Sequence, residues 1–87
     1  MPFESILEDR AQKDIRHLSA NIKRQIDAKL KTLETNPQPD GKNIIKLKGY
    51  ENLFRLRIGD YRAVFSIEGM AIRVLRIRHR KDIYGLL

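Results

Sequence analysis

The chain of 87 residues contains no cysteine, so neither a disulfide nor a cysteine-bound metal stabilises it. It has no apolar run near the ~18 residues that span a bilayer. Charged residues also occur too early for the apolar core of a secretory signal. We therefore expect a cytoplasmic protein without a membrane segment. The length predicts a single domain, residues 1–87, which buries only about 60% of its unfolded surface and gains stability from a partner.

Motifs that bind metals or nucleotides are also absent from the sequence. The sequence has no glycine-rich phosphate loop and no closely spaced histidine pair. Its two histidines, His17 and His79, stand far apart. We therefore expect neither a metal nor a cofactor.

The basic residues are unevenly distributed. The net charge is +7, from 18 Lys and Arg against 11 Asp and Glu. Residues 1–40 hold seven basic and seven acidic side chains, whereas residues 41–87 hold eleven basic and four acidic ones. This segregation favours a polyanion or an acidic protein as the partner of the second half. Alternatively, the Lys and Arg side chains only solubilise a small sheet.

The first half shows mainly helical periodicity. Residues 3–7 alternate loosely, as in a short strand, and Asp9 can then cap a helix. Ser19 and Asn21 are alternative caps of a second helix, which residues 36–41 end because proline cannot continue it. The apolar positions of the two helices are Ala11, Ile15 and Leu18, then Ile22, Ile26, Leu30 and Leu33.

The second half shows the periodicity of strands. Strands are predicted at residues 53–58, 61–67 and 70–77, and residues 44–47 are either a short strand or an extended edge. A two-residue turn at residues 68–69 joins the last two strands. The cross-strand partners are then, toward the helices, Ile67 with Met70, Phe65 with Ile72 and Ala63 with Val74, and on the other face Arg62 with Leu75 and Val64 with Arg73.

These elements predict an α+β fold, in which an N-terminal helical hairpin packs on one face of a small antiparallel sheet in the order β-α-α-β-β-β. On the other face, Arg55 and Arg57 lie side by side on one strand. Like charges this close disfavour folding unless an anion lies between them, and a phosphate can accept a fork of hydrogen bonds from each guanidinium. Alternatively, both side chains only extend into solvent beside nearby carboxylates.

The most informative motifs lie in two segments, LKGYENLFRLRIGDYRAVF at residues 47–65 and IRVLRIRHRKDIY at residues 72–84. The Leu-Lys-Gly lead-in, the Arg-x-Arg strand, the Gly-Asp-Tyr-Arg run and the closing His-Arg-Lys-Asp-x-Tyr resemble the RelE/ParE toxin superfamily. The order and length of the elements agree over nearly the whole chain. The resemblance is more specific for fold than for activity, because the superfamily contains ribosome-dependent mRNA endonucleases and also toxins that inhibit DNA gyrase.

The RelE branch implies the toxin of a type II toxin–antitoxin system, which cleaves mRNA in the ribosomal A site without a metal. The ribose 2′-OH attacks the neighbouring phosphate and leaves a 2′,3′-cyclic phosphate and a 5′-OH. The resemblance implies that Tyr84 is the base, Arg62 stabilises the phosphate, and Arg55 and Arg57 contact it. Further candidates for phosphate contact are Lys46, Lys48, Arg73 and Lys81.

The group that protonates the leaving oxygen has several candidates. Arg78 and Arg80 both fall where the family has a functional arginine, and we expect them to stabilise charge because arginine is a poor proton donor. His79 belongs to the residue type that most often donates protons in catalysis, and it is a donor if it faces the Arg62 side; otherwise it is a solvated residue at a strand end. Tyr61 shares the strand parity of core residues, so we expect it in the core or at its rim.

The resemblance also implies partners. A small antitoxin would cover the basic second half with an acidic or amphipathic segment, and the ribosome and mRNA would be the targets. Two alternatives stay open: a ParE-like gyrase inhibitor without nuclease activity, and an attenuated module that only binds RNA or the antitoxin.

Overall fold

The computed structural model describes residues 2–86. Within them the chain forms one strand, two helices, four further strands and a final 3₁₀ turn. Their bounds are β1 Glu4–Leu7, α1 Asp9–Ile15, α2 Ala20–Thr35, β2 Ile44–Lys46, β3 Phe54–Ile58, β4 Tyr61–Glu68, β5 Ala71–His79 and the 3₁₀ turn Ile83–Leu86.

The strands form one sheet in the order β1-β5-β4-β3-β2. The α+β prediction, with the helical hairpin on one face, is confirmed, and residues 44–46 are a paired strand. The sheet is mixed rather than wholly antiparallel, because β1 lies parallel to β5. Alternation of side chains gives no information on strand direction, so the sequence pattern could not reveal this pairing. The sheet also has one strand more than the predicted order counted.

The helix caps agree with the sequence at α2 and differ at α1. The Ser19 Oγ accepts a hydrogen bond of 3.3 Å from the N–H of Ile22 and caps α2, which ends at Thr35 before the predicted turn. Asp9 is the first residue of α1 rather than its cap, and the capping position belongs to Glu8, whose side chain makes no capping bond. Asp9 still lies in the first turn, where a carboxylate interacts favourably with the helix dipole.

The core lies between the helices and one face of the sheet. Ala11 of α1 and three residues of α2 pack against the inward side chains of β3, β4 and β5, of which Phe65 is completely buried. The α2 residues are Ile26, Leu30 and Leu33. The opposite side of the sheet is called the open face below. Along residues 2–86, no helix is both long enough and apolar enough to cross a membrane.

The predicted register of the hairpin between β4 and β5 is shifted by two residues, which moves its turn by one. Glu68 pairs with Ala71, so the turn is Gly69–Met70 rather than residues 68–69. Gly69 has a φ of +61°, which suits glycine at the first position of a tight turn. Because a shift of two preserves the parity of side chains, the predicted inward residues of both strands stay inward; Met70, in the turn itself, is half exposed.

A β-bulge between Val64 and Phe65 changes the register a second time. Beyond it Ala63 pairs with Ile77 instead of Val74. On the open face Arg62 pairs with Arg78 instead of Leu75, and Val64 pairs with Arg76 instead of Arg73. A bulge inserts one extra residue into a strand and re-aims the side chains that follow. The bulge therefore adds two arginines to the open face.

Candidate active site

Three arginines form a row across the open face. Arg57 of β3 lies directly opposite Arg62 of β4, and Arg62 lies directly opposite Arg78 of β5. Directly opposed residues have Cβ atoms about 5 Å apart, so like charges there oppose folding. An anion bound between these three arginines would reduce the repulsion among their positive charges.

The guanidinium of Arg62 is held by the turn that precedes it. Its Nη1 donates hydrogen bonds to the carbonyl oxygens of Gly59, at 2.7 Å, and Tyr61, at 2.9 Å. Gly59 has a φ of +57°, so the tight turn that presents its carbonyl suits glycine. The central arginine of the row is thus fixed in direction by backbone atoms.

The surroundings of Arg62 are strongly positive. Partial burial, followed by the charges of Arg55 and Arg57, lowers the pKa of Arg62 from its usual value. Arg80 acts in the same direction, whereas Tyr84 opposes it. These four side chains are thus close enough to act on Arg62. Arg62 stays protonated at neutral pH, and the neighbouring arginine charges favour a bound anion at this site.

Arg55 connects two segments that are distant in sequence. Its Nη1 donates a hydrogen bond of 2.9 Å to the hydroxyl oxygen of Tyr84, and its Nη2 donates one of 3.2 Å to the carbonyl oxygen of Lys42. The carbonyl is held in turn by a tight loop, in which one carboxylate oxygen of Asp40 accepts from three successive backbone N–H groups. Arg55 is therefore anchored to this loop and orients the Tyr84 hydroxyl.

Tyr84 reaches the site from the C-terminal 3₁₀ turn. The preceding residue, Ile83, is completely buried, and so is Val64 on the open face, although neither belongs to the main core cluster. Tyr84 itself is half exposed. The anchor at Ile83 leaves the tyrosine hydroxyl at the surface beside the arginines.

Asp14 of α1 supplies negative charge at the edge of the row. Its carboxylate accepts two hydrogen bonds from Arg76, at 2.9 and 3.0 Å, and one from the N–H of Ile77. The Arg78 guanidinium lies 3.8 Å from the same carboxylate. Burial opposes ionisation of Asp14, but these hydrogen bonds and the two arginine charges outweigh it and lower the pKa of the carboxyl.

His79 and Arg80 lie at the end of β5. His79 is paired with Tyr61, and the two rings make an edge contact with centroids 5.6 Å apart, so His79 lies on the Tyr61 face rather than the Arg62 face. It therefore does not meet the condition set for a proton donor. Tyr61 packs against the core, as expected from its parity. Arg80 lies beside Asp60, with 4.0 Å between the guanidinium and the carboxylate.

Residues 6–84 match the model of a family described as the ParE toxin of the type II toxin–antitoxin system parDE. The chain belongs to this toxin family. It is 36% identical over 74 residues to Toxin RelE3 of Methanocaldococcus jannaschii, a match that covers 83% of this chain and 84% of the relative.

Solved structures agree with this assignment. The toxin matches the RelB-RelE antitoxin–toxin complex from Methanococcus jannaschii with a TM-score of 0.75 and 29% identity, over 94% of this chain and 98% of the other. The archaeal RelE-RelB complex from Pyrococcus horikoshii gives a TM-score of 0.77 and 27% identity, over 92% and 97%. The chain is thus a RelE-like toxin of a type II toxin–antitoxin system.

The remaining sequence candidates of the toxin are not members of the arginine row. Arg73 is on the open face, but its guanidinium bonds to the Glu8 carboxylate at 2.8 Å and lies 3.5 Å from Glu68. Lys46 is paired with Phe54 and therefore lies on the helix side of the sheet. Lys48 and Lys81 are exposed in turns.

Sequence reasoning missed several side chains that shape the site of the toxin. No sequence motif marks these residues, and each acts through partners that only the fold brings close. They are Asp14, Arg76 and Asp40. Asp40 followed by glycine did signal a turn, but not its link to Arg55. Within residues 2–86, no group of three or more His, Asp or Glu side chains is placed to hold a metal ion.

Proposed function

We propose that this toxin is a ribosome-dependent, metal-independent mRNA endonuclease. The observation that supports this most strongly is the hydrogen bond from Arg55 to the Tyr84 hydroxyl, beside the row of Arg57, Arg62 and Arg78. Transfer of a phosphoryl group needs a base, positive charge around the phosphate and precise placement. The cluster offers all three on one exposed surface.

The reaction would proceed by attack of the ribose 2′-oxygen on the adjacent phosphorus. With its hydroxyl deprotonated, Tyr84 would take the proton of the 2′-OH and become neutral as the new O–P bond forms, and the bond from phosphorus to the 5′-oxygen would break. We assign the proton of the leaving oxygen to water, because His79 faces the other way and arginines keep their protons at neutral pH. The products are a 2′,3′-cyclic phosphate and a 5′-OH.

Arg62 has the central role in stabilising charge. It lies between Arg57 and Arg78 and is held rigid by the carbonyls of Gly59 and Tyr61. A preformed donor needs little reorganisation when negative charge develops on the phosphate. Arg80 adds to the positive field at Arg62.

The partners follow from the same surface. We propose that a cognate antitoxin covers the open face, since the related structures from the two archaea are described as complexes of RelE with RelB. An acidic segment would neutralise the arginine row and block access of RNA. The toxin would act in the cytoplasm, where ribosomes and mRNA are found, and residues 1–87 would be one toxin domain.

A second candidate function is inhibition of DNA gyrase. The matching family model carries the ParE name, which favours this reading. A protein that only binds gyrase has no use for a tyrosine hydroxyl oriented within a group of arginines. The oriented tyrosine therefore favours the nuclease over the gyrase inhibitor.

The test is induced expression in cells, followed by primer extension on a known mRNA. Wild type should stop growth and produce cuts phased with the codons. Arg62→Ala and Tyr84→Phe should lower the number of cuts by about 10²-fold or more, the usual contribution of a positioned charge or base.

The matched control is Arg73→Ala, which removes the same charge from the same face but from a site paired with carboxylates. It should leave the cuts unchanged. Growth arrest without cuts would overturn the nuclease and support the gyrase reading. Absence of arrest in wild type would indicate an attenuated toxin.

A further inference from the structure

Asp14 interacts with two arginines, and the two interactions differ in strength. Only 7% of its side chain is exposed, and it binds Arg76 through two hydrogen bonds at 2.9 and 3.0 Å. Arg78 has a single approach of 3.8 Å, beyond hydrogen-bond distance. The Arg76 pair is thus locked, whereas the Arg78 pair is only an electrostatic attraction.

The surroundings of Arg78 allow it to move. Its side chain is 36% exposed, against 20% for Arg76. It is the direct cross-strand partner of Arg62, so a phosphate on Arg62 lies within reach of the long Arg78 side chain. Two anions, the Asp14 carboxylate and a phosphate at the row, can therefore compete for the same guanidinium.

We propose that Arg78 exchanges partners, from Asp14 in the free toxin to an RNA phosphate in the bound state, and that Asp14 is the positioning residue that controls this exchange. In the free toxin, Asp14 draws one of three adjacent positive charges away from Arg62 and relieves their repulsion. On binding, the phosphate supplies that relief instead. This inference rests on the proposed function, because it requires RNA at the arginine row.

Arg76 remains on Asp14 throughout the exchange. Its two hydrogen bonds, with the third from the N–H of Ile77, keep the carboxylate in place after Arg78 leaves. Asp14 is thus never left as an unpaired buried charge, which would carry a large penalty. The cost of exchange is limited to one weak, partly exposed ion pair.

The test is a double-mutant cycle on binding of a short single-stranded RNA with 2′-O-methyl groups, which cannot be cleaved. Fluorescence anisotropy between 50 and 200 mM salt gives the affinity and its salt dependence. Arg78→Gln should weaken binding and reduce the slope of log K against log salt by about 0.7, the value for one lost phosphate contact. Asp14→Asn should tighten binding by up to about fivefold, because the competing anion is gone.

The coupling between the two changes is the decisive quantity. With Arg78→Gln already present, Asp14→Asn should no longer tighten binding. Glu8→Gln is the matched control, because it also removes an acidic partner of a β5 arginine, at a site away from the row. It should give equal, small effects in both backgrounds. Equal tightening by Asp14→Asn in both backgrounds would overturn the exchange.

A second measurement needs no change at Asp14 and guards against a misfolded variant. In ¹⁵N NMR of the wild type, RNA should shift the guanidinium signal of Arg78 but not that of Arg76. Equal shifts at both, or none at Arg78, would overturn the exchange. RNA binding without coupling between positions 14 and 78 would overturn the exchange and leave the proposed nuclease unaffected. Coupling without mRNA cuts on ribosomes would overturn the nuclease and leave the exchange unaffected.

Discussion

Arg55 and Tyr84, 29 positions apart in the chain, are joined by a hydrogen bond of 2.9 Å between Nη1 and the phenolic oxygen. The second terminal nitrogen of Arg55 is bonded to the carbonyl of Lys42. The arginine therefore spans from a loop to the C-terminal turn. The sequence suggested that Arg55 contacts a phosphate, and that stays a prediction; the two bonds add that Arg55 acts as a brace that orients Tyr84.

The brace predicts that charge alone is not sufficient at position 55. Arg55→Lys keeps the positive charge but cannot donate to Tyr84 and Lys42 in the same geometry. Cleavage in the primer-extension assay should fall about tenfold or more, because the hydroxyl is no longer placed precisely. The salt dependence of RNA binding should stay close to that of wild type, since the net charge is unchanged.

Arg57→Lys is the matched control, on the same strand and the same face. The Arg57 side chain is exposed, so a lysine can still present its charge to a phosphate. Its effect on cleavage should be clearly smaller than that of Arg55→Lys. Equal losses from both substitutions would show that Arg55 acts through its charge and not as a brace.

The sequence predicted the parts of the fold that depend on local patterns. The stripe of Ile26, Leu30 and Leu33 fixed the buried face of α2, and strand parity placed Tyr61 on the core side. The place of Arg78 in the row, opposite Arg62, could not be predicted, because it depends on the bulge beside Val64. No local signal marks that extra residue.

Contacts between distant segments were also beyond the reach of sequence patterns. Asp14 was only a polar position of a short helix, yet it binds Arg76, more than sixty residues away in the chain. Tyr84 was recognised through a family resemblance rather than through its spacing. The side chains of the site come from separate strands, a loop and the 3₁₀ turn, and only the folded chain brings them together.

The starts of the two helices predict different effects of truncation. Ser19→Ala removes the acceptor for the N–H of Ile22 and should cost about 1 kcal/mol in the free energy of unfolding. Asp9→Ala should cost less, about 0.5 kcal/mol, because Asp9 acts only through the dipole of α1. Urea unfolding followed by circular dichroism measures both. A larger loss at Asp9 would contradict the observed start of α1.

The loop that holds the Lys42 carbonyl depends on one carboxylate oxygen of Asp40. Asp40→Ala removes the acceptor for three backbone N–H groups and should lower both the melting temperature and the cleavage rate. Asp40→Asn keeps an oxygen in the same position and should restore most of both. Failure of asparagine to restore cleavage, with normal melting, would show that Arg55 does not need this loop.

Acid should weaken the link between α1 and β5. Burial by itself would raise the pKa of Asp14 in the folded toxin, but the hydrogen bonds from Arg76 and Ile77 and the charges of Arg76 and Arg78 outweigh it and lower this pKa. Its stabilising contribution is therefore fully present above the unfolded value, about 3.9, and is lost as the pH falls through the folded value. Asp14→Asn should destabilise the toxin by about 1–3 kcal/mol near pH 7, because buried donors lose a charged acceptor.

The comparison of unfolding curves for wild type and Asp14→Asn from pH 7 to pH 3 tests this sign. The gap between them should stay constant down to about pH 5 and narrow below about pH 4. Asp27→Asn is the control, because the Asp27–Lys31 pair is exposed and should be worth less than about 1 kcal/mol at any pH. If the difference in unfolding free energy between wild type and Asp14→Asn grows in acid, Asp14 is protonated in the folded toxin. That result would contradict its ion pairs with Arg76 and Arg78.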